Sequence, residues 1–346
     1  MPPLFHITRI WRQVRVFCLL LVAGCATARN DGPFARFEFA QPAMGTIFRI
    51  TLHAPDEKRA EAAAKAAFAR VIELELAMTD YDPESELLRL CRPPHGQPVQ
   101  VSRDLFTALQ HARVLAELTE GAIDPTVGPY VQLWRRARRQ RELPAPEKLA
   151  EAAAAVGWRK FQLDTKKQTV TLLAPNMRLD LGGVAKGYAA DAALAVLRSH
   201  DIRRALVAAS GDLAIGDPPP GKTGWAIGLT SFVSDKPDRQ AVLRNCGVST
   251  SGDTEQFLLL DGTRYSHIVN PLTGRALTNR ISANIIAPTA TASDILATAV
   301  CVLGAEKSLE MVKTLDGVHF RAVTLRDGKP AEVASAGFPS PAKSEK

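Results

Sequence analysis

An α+β fold with mixed sheets flanked by helices is what the hydrophobic patterning of this chain predicts. Three observations carry that expectation. As far as Ala155 the pattern is mainly helical, with one clear alternating strand. From Phe161 the texture changes to short β-like runs. Two later helices interrupt and follow those runs, without the regular strand–helix–strand alternation of a doubly wound sheet.

The elements follow in order. Thr46 to His53 alternates, Phe48, Ile50 and Leu52 on one face against Arg49, Thr51 and His53 on the other, which predicts a half-buried strand. Asp56 to Met78 is rich in Ala, and Ala63, Ala67, Val71, Leu74 and Met78 make the stripe of a long amphipathic helix. Further helices are expected over Glu84 to Leu90, Asp104 to Thr119, Val127 to Arg139 and Pro146 to Ala155. The β-like runs are Gln168 to Leu173, Ala205 to Ala208, Trp225 to Leu229, Phe257 to Leu260 and Ile281 to Ile286. Helices over Gly187 to Arg198 and Ser293 to Leu303 complete the pattern. No internal repeat is evident. Residues 335–346, rich in Ser, Pro, Ala and Lys, read as a disordered tail.

The N-terminus sets the expected compartment. Arg9, Arg12 and Arg15 precede an apolar run from Val16 to Ala23 that is too short to span a bilayer as a helix. A basic region, an apolar core and small residues are the marks of a secretory signal. The sequence Val22-Ala23-Gly24-Cys25 resembles the lipobox of bacterial lipoproteins, which implies cleavage before Cys25 and lipidation of its sulfur. The alternative is an ordinary signal peptide with an incidental cysteine. On the lipoprotein reading, residues 1–24 are the signal and 25–37 a tether. The product is a lipid-anchored protein facing the periplasm.

Composition narrows the class. Across 346 residues, 46% hydrophobic and 23% charged content suit a globular enzyme. Beyond Cys25 the mature chain has Cys91, Cys246 and Cys301, far apart and without metal-type pairs, so neither a disulfide framework nor a zinc site is indicated. Much of the net charge of +7 comes from Arg135, Arg136, Arg138, Arg139 and Arg141. Such a cluster is either a solvated helix surface or an attraction for an anionic partner. No basic stripe interleaved with aromatics is present, which argues against a nucleic-acid partner.

Several polar segments look chemical. In the helix containing Ala292-Ser293-Asp294-Ile295-Leu296-Ala297-Thr298, Asp294 and Thr298 are four apart and share a face. A carboxylate and a hydroxyl so placed suit a hard cation such as magnesium, with room left for a substrate phosphate. A buried Asp on an apolar helix needs a partner, and a cation supplies one. Leu179-Asp180-Leu181-Gly182-Gly183-Val184-Ala185-Lys186-Gly187-Tyr188 runs through paired glycines into a helix start, where backbone N–H groups can bind phosphate and Lys186 adds charge. Glycine-rich turns of this kind are also commonly structural. Gly121-Ala122-Ile123-Asp124-Pro125-Thr126 sets Asp124 before a proline, which favours extended backbone. Its plainer reading is a helix C-cap and turn. Ala209-Ser210-Gly211-Asp212 reads as a turn or a ligand-lining loop.

Taken in order along the chain, these segments resemble the ApbE family of bacterial FAD:protein FMN transferases, which are often lipoproteins. The segments are Ala43-Met44-Gly45-Thr46, Met78-Thr79-Asp80-Tyr81 with Ser85-Glu86, Gly121 to Pro129, Leu179 to Tyr188, Ser249-Thr250-Ser251-Gly252-Asp253, His267-Ile268-Val269-Asn270-Pro271 with Thr273-Gly274, and Asp294 to Thr298. The resemblance covers residues 38–325 and implies a T-fold-like α+β architecture with FAD in a cleft between two subdomains. Carried onto matching positions, it implies that Met44, Tyr81, Ala122, Ile123, Asp124, Asp180 and Lys186 line FAD. Gly183, through its carbonyl, would join Asp294 and Thr298 around Mg2+. The implied reaction is transfer of FMN from FAD to a Thr or Ser hydroxyl of an acceptor protein, releasing AMP, the acceptor being a membrane redox subunit with a flavinylation motif. His267 is the candidate base, since the reference pKa of histidine is ~6.5, and Asp253 is the second candidate. Three positions depart from the family pattern: Asn270 for a common Asp, Ser210 for the first glycine of Gly-Gly-Asp, and Cys91 near a usual Asn. Two other readings stay open. One is a magnesium-dependent FAD pyrophosphatase giving FMN and AMP, and the other a flavin-binding lipoprotein without chemistry.

Overall fold

The computed structural model describes residues 34–340 apart from Pro93 and residues 253–255. The expected signal peptide, Cys25 and Asp253 lie outside the described residues.

The chain opens on a hairpin, β1 (Ala35–Ala43) and β2 (Thr46–Ala54), followed by helix α1 (Glu57–Met78) and the short α2 (Glu86–Leu90). Next come β3 (Val99–Gln100), α3 (Arg103–Leu118), α4 (Gly128–Gln140), α5 (Pro146–Ala153), β4 (Phe161–Asp164) and β5 (Thr169–Leu172). Helix α6 (Ala185–Ser199) leads to β6 (Ala205–Ala209), β7 (Asp212–Ile215), β8 (Trp225–Ser231), β9 (Ser234–Leu243) and β10 (Cys246–Gly252). The remainder is β11 (Phe257–Leu260), β12 (Thr263–Ser266), β13 (Ile281–Ala287), α7 (Ala290–Leu303), α8 (Ala305–Val312), β14 (His319–Arg326) and β15 (Lys329–Ala334).

Eight strands form one antiparallel sheet in the order β1-β2-β6-β7-β10-β13-β14-β15. Helices α1, α6, α7 and α8 lie along one face, α6 between α1 and α7. The β8–β9 hairpin covers part of the other face, where Trp225, Ile227 and Leu229 pack on Ile215, Val248 and Ile286. Burial from both sides explains why every residue of β13 is buried and why Ile281 to Ile286 reads as an apolar run with little alternation. A second group, α2 to α5 with the small sheet β3-β5-β4, builds out from α1. The α+β class is therefore the one expected.

Two boundaries differ from the expected ones. Strand β1 starts at Ala35, inside the expected tether, because pairing with β2 half-buries Phe37 and Phe39. Strands β14 and β15 carry the folded unit beyond residue 325. The chain is still pinned at Ser335, which exchanges backbone and side-chain bonds with Phe320, and at Phe338, which packs on the β8–β9 side. The expected disordered tail is thus in contact with the sheet through Phe338, and residues 341–346 lie outside the described residues.

Candidate functional site

Where α6 begins, its first turn meets the middle of α7, and the closeness of the two helices is set by glycine. A Cβ at Gly187 would overlap the carbonyl of Ala290 and come within 2.8 Å of the Asp294 Cβ. In a regular helix the Gly187 N–H would donate to the Gly183 carbonyl four residues back. Here it donates to Asp294 Oδ2 at 3.0 Å. Among the described residues nothing donates to the Gly183 carbonyl, which stays available as a hard oxygen. The same loop touches Thr298: a Cβ at Gly183 would lie 3.1 Å from Thr298 Oγ1. The structure therefore brings Gly183, Asp294 and Thr298 together as expected.

Lys186 completes the group. Its Nζ lies 2.8 Å from Asp212 and 3.6 Å from Asp294, both buried carboxylates. Burial disfavours the ammonium, yet the charges of Asp294 and then Asp212 outweigh that and hold Lys186 above its ordinary pKa. Asp294 is pushed up to about 7, first by burial and then by the nearby Asp212, with Lys186 opposing. Asp212 was not among the expected site residues, although its turn stood out in the sequence. Ser210, at φ 57° in the tight β6–β7 turn, occupies a left-handed position that glycine fills without strain. The turn delivers Asp212 to Lys186. On the other side, Ser251 Oγ is 3.4 Å from Thr298 Oγ1, and Ser249 Oγ is 2.8 Å from Ser293 Oγ, so the Ser-Thr-Ser segment of β10 lines α7 with hydroxyls.

A single buried carboxylate, a hydroxyl and an unpaired carbonyl form an all-oxygen donor set of the kind magnesium takes while keeping positions for water and phosphate. Among the described residues no three His, Cys, Asp or Glu side chains converge on a metal position. The set thus depends on Thr298 and the Gly183 carbonyl. These residues fit the ion.

The loop carrying Asp124 is stitched to the loop carrying Asp180 through the Asp180 N–H, which donates to the Pro125 carbonyl at 2.8 Å. Asp180 in turn accepts from the Gly182 N–H at 2.7 Å, which ties both loops to the start of α6. Burial and then Asp80 push the Asp180 pKa upward, with Arg135 opposing. Arg135 pairs with Asp80 and, at 3.3 Å, with Asp180, and its guanidinium covers the Tyr81 ring at 4.4 Å. Tyr81 is nonetheless 76% exposed, an aromatic surface beside a groove of about 600 Å3. Ala122 and Ile123 are buried, and Asp124 Oδ1 accepts from the hydroxyl and N–H of Thr126, so that oxygen braces its own loop. Met44 sits at φ 49° in the β1–β2 turn, its N–H on Glu75. Cys91 bridges α2 to this region, donating to the Leu87 carbonyl and accepting from the Leu179 N–H.

His267 is on a separate arm. The β11–β12 hairpin and the turn after it leave the end of β10 and lean on α4, where Trp134 Nε1 donates to the Gly274 carbonyl at 2.8 Å. Gly274 has φ 68°, and any Cβ there would press on the Tyr130 ring, 2.6 Å away. The His267 N–H and Nδ1 both sit on the Gln256 carbonyl, at 3.0 and 3.1 Å. A carbonyl only accepts, so Nδ1 carries a proton. Asn270 Oδ1 accepts from the Leu272 N–H and braces its own turn.

Comparison with known proteins places the chain in a family. The model of the ApbE family matches residues 44–321. The FAD:protein FMN transferase of Treponema pallidum is 33% identical over 329 residues, 89% of each chain. That of Haemophilus influenzae is 34% identical over 246 residues, 68% of this chain and 71% of the relative. The solved flavin transferase ApbE from Vibrio cholerae superposes with a TM-score of 0.80 at 28% identity, covering 88% of this chain and 99% of that one. The ApbE protein of Thermotoga maritima gives 0.78 at 31% identity, covering 87% of this chain and 97% of that one. With the family model matching residues 44–321 and relatives and solved structures covering most of its length, this chain belongs to the ApbE family.

Proposed function

We propose that this protein transfers FMN from FAD to a Ser or Thr hydroxyl of an acceptor protein, releasing AMP, at a magnesium site formed by Asp294, Thr298 and the Gly183 carbonyl. The observation that carries the reading is the convergence of these oxygens with Lys186 at the start of α6. The names of the relatives, which match most of the chain, support the flavin as substrate.

FAD binds with its pyrophosphate toward Lys186 and the first turn of α6, and with ring contacts along Tyr81, Ala122, Ile123 and Asp180. Magnesium, when bound, supplies positive charge that neutralises the pyrophosphate oxygens. Lys186 adds a fixed charge from its seat on Asp212. The acceptor oxygen attacks the phosphorus on the riboflavin side, forming the new P–O bond as the bond to AMP breaks. The hydroxyl proton passes to His267 Nε2. Tethered through Cys25, the protein would act at the periplasmic face of the envelope on a membrane redox subunit.

One incubation tests the reading: FAD, magnesium and a candidate acceptor, followed by intact mass and AMP release. FMN covalently on the acceptor is expected. Free FMN with AMP would make the protein a pyrophosphatase, and unchanged FAD a carrier.

A further inference from the structure

From sequence, the five arginines at the end of α4, Arg135, Arg136, Arg138, Arg139 and Arg141, are either a solvated surface or an attraction for an anionic partner. In the structure they are not alike. Arg136, Arg139 and Arg141 are exposed, and Arg136 bonds to Gln140 of its own helix. Arg138 is half-buried and reaches Gln256 at 3.3 Å. Arg135 turns inward. Its side chain is 19% exposed, and it pairs with two nearly buried carboxylates, Asp80 and Asp180.

Three segments distant in the chain meet at that guanidinium. Asp80 and Tyr81 belong to the loop that leaves α1, Asp180 to the loop that enters α6, and Arg135 to α4. Both carboxylates are themselves anchored. Arg178 donates to the Asp80 carbonyl at 2.7 Å, and Asp180 accepts from the Gly182 N–H with its other oxygen. With its edge so held, the Arg135 guanidinium lays its face on Tyr81, 4.4 Å from the ring centroid. Tyr81 is otherwise turned to solvent, at 76% exposure. A large aromatic ring with one face on a fixed cation keeps the second face for a flat partner. A planar fork is what this arrangement requires. It can donate to two carboxylates and still present a flat face to a ring, which the point charge of a lysine cannot.

We propose that Arg135 is a positioning residue for FAD: anchored by Asp80 and Asp180, it backs one face of Tyr81 and holds the ring so that an aromatic ring of FAD stacks on the other. This inference rests on the reading that FAD is the substrate and that Tyr81 touches it. Arg135 itself acts through Tyr81, so removing the tyrosine ring removes most of what the arginine contributes.

The test reads FAD affinity without any acceptor, from flavin fluorescence and absorbance. Arg135→Lys keeps the charge but loses the flat face, and it should weaken FAD binding by about three- to tenfold. Arg136→Lys, on the exposed side of the same helix, should bind FAD as wild type does. Tyr81→Leu, at an exposed position, should lose about as much as Arg135→Lys, and the double variant little more than Tyr81→Leu alone. Binding of FMN and of AMP separately tells which ring stacks: the fragment whose affinity falls in Arg135→Lys carries it. Unchanged FAD affinity in folded Arg135→Lys overturns the proposal, as does an equal loss with and without the Tyr81 ring. Unchanged affinity in Tyr81→Leu overturns it too, whether or not the arginine variant folds. A wild type that binds no FAD would instead sink the substrate reading itself.

Discussion

On the proposed reading, Lys186 and a divalent cation would compete for the Asp294 carboxylate. The ammonium sits between Asp212 and Asp294, so a cation reaching Asp294 must displace part of that contact, and Asp212 gives the lysine a place to stay. Lys186→Met should therefore tighten magnesium or manganese binding while lowering turnover, which calorimetry without FAD and a rate assay would separate. Equal or weaker cation binding in the variant would count against the competition. A pH dependence follows from Asp294 at about 7. Cation binding needs the carboxylate, so affinity should rise up to tenfold per pH unit below about 7 and level off above it. The sign for stability is opposite. Folded Asp294 keeps a proton that the unfolded chain, with a pKa of about 3.9, has lost, so without metal this group's contribution declines as pH rises from about 4 to 7. Asp294→Ala should abolish metal-dependent turnover and flatten both profiles. For His267, the expected loss on replacement by Asn is about 10²–10⁴-fold in transfer rate, with FAD affinity and melting temperature little changed. An early-melting variant with a normal rate would mark a structural histidine.

At the scale of elements, the site depends on how closely α6 and α7 approach. Gly187 faces the Ala290 carbonyl, and Gly247 of β10 leaves no room for a side chain against Thr289 and Ala290. These two close approaches draw α7 and its Asp294 in against both α6 and β10. Asp191 of α6 reinforces the arrangement by accepting from the N–H groups of Ala290 and Thr291 at the first turn of α7. Gly187→Ala should force the helices apart and cost roughly 1–3 kcal/mol by overpacking. It should also weaken cation binding, because the Gly187 N–H that holds Asp294 moves with the helix. A variant that melts early but binds cation normally would show that packing and site geometry are separable.

The molecule as a whole is an antiparallel sheet whose central strands come from distant parts of the chain. Strand β2 neighbours β6, and β10 neighbours both β7 and β13. A buried cluster fixes the β8–β9 hairpin to it: Arg321 pairs with Asp238 and Glu332 and reaches Asn284, whose amide donates to Thr250 Oγ1 between the two site serines. Among the described residues no helix is long and apolar enough to cross a membrane; the lipid anchor at Cys25 is the reading proposed above. Cys25→Ser should leave an unlipidated precursor, because the thiol is the acyl acceptor. Mature wild-type protein recovered free in the periplasm with a lipid-less N-terminus would contradict the anchor.

Amphipathic periodicity and oxygen-bearing side chains are legible in the linear chain, because helix period and side-chain chemistry are local properties. Helices α1, α6 and α7, the i, i+4 pair Asp294 and Thr298, and the family resemblance all follow from such local properties. Strand β9 does not, since its polar, proline-containing sequence becomes a strand only by pairing with β8 and docking Asp238 on Arg321. Nor does β1, where Phe37 and Phe39 acquire meaning from β2. Asp212 lies 26 positions after Lys186 and 82 before Asp294, so its part in the ion-pair cluster comes from strand order and the β6–β7 turn. The same holds for the vacated Gly183 carbonyl. Its availability results from Asp294 taking the Gly187 N–H across two helices, a long-range contact that no local pattern encodes.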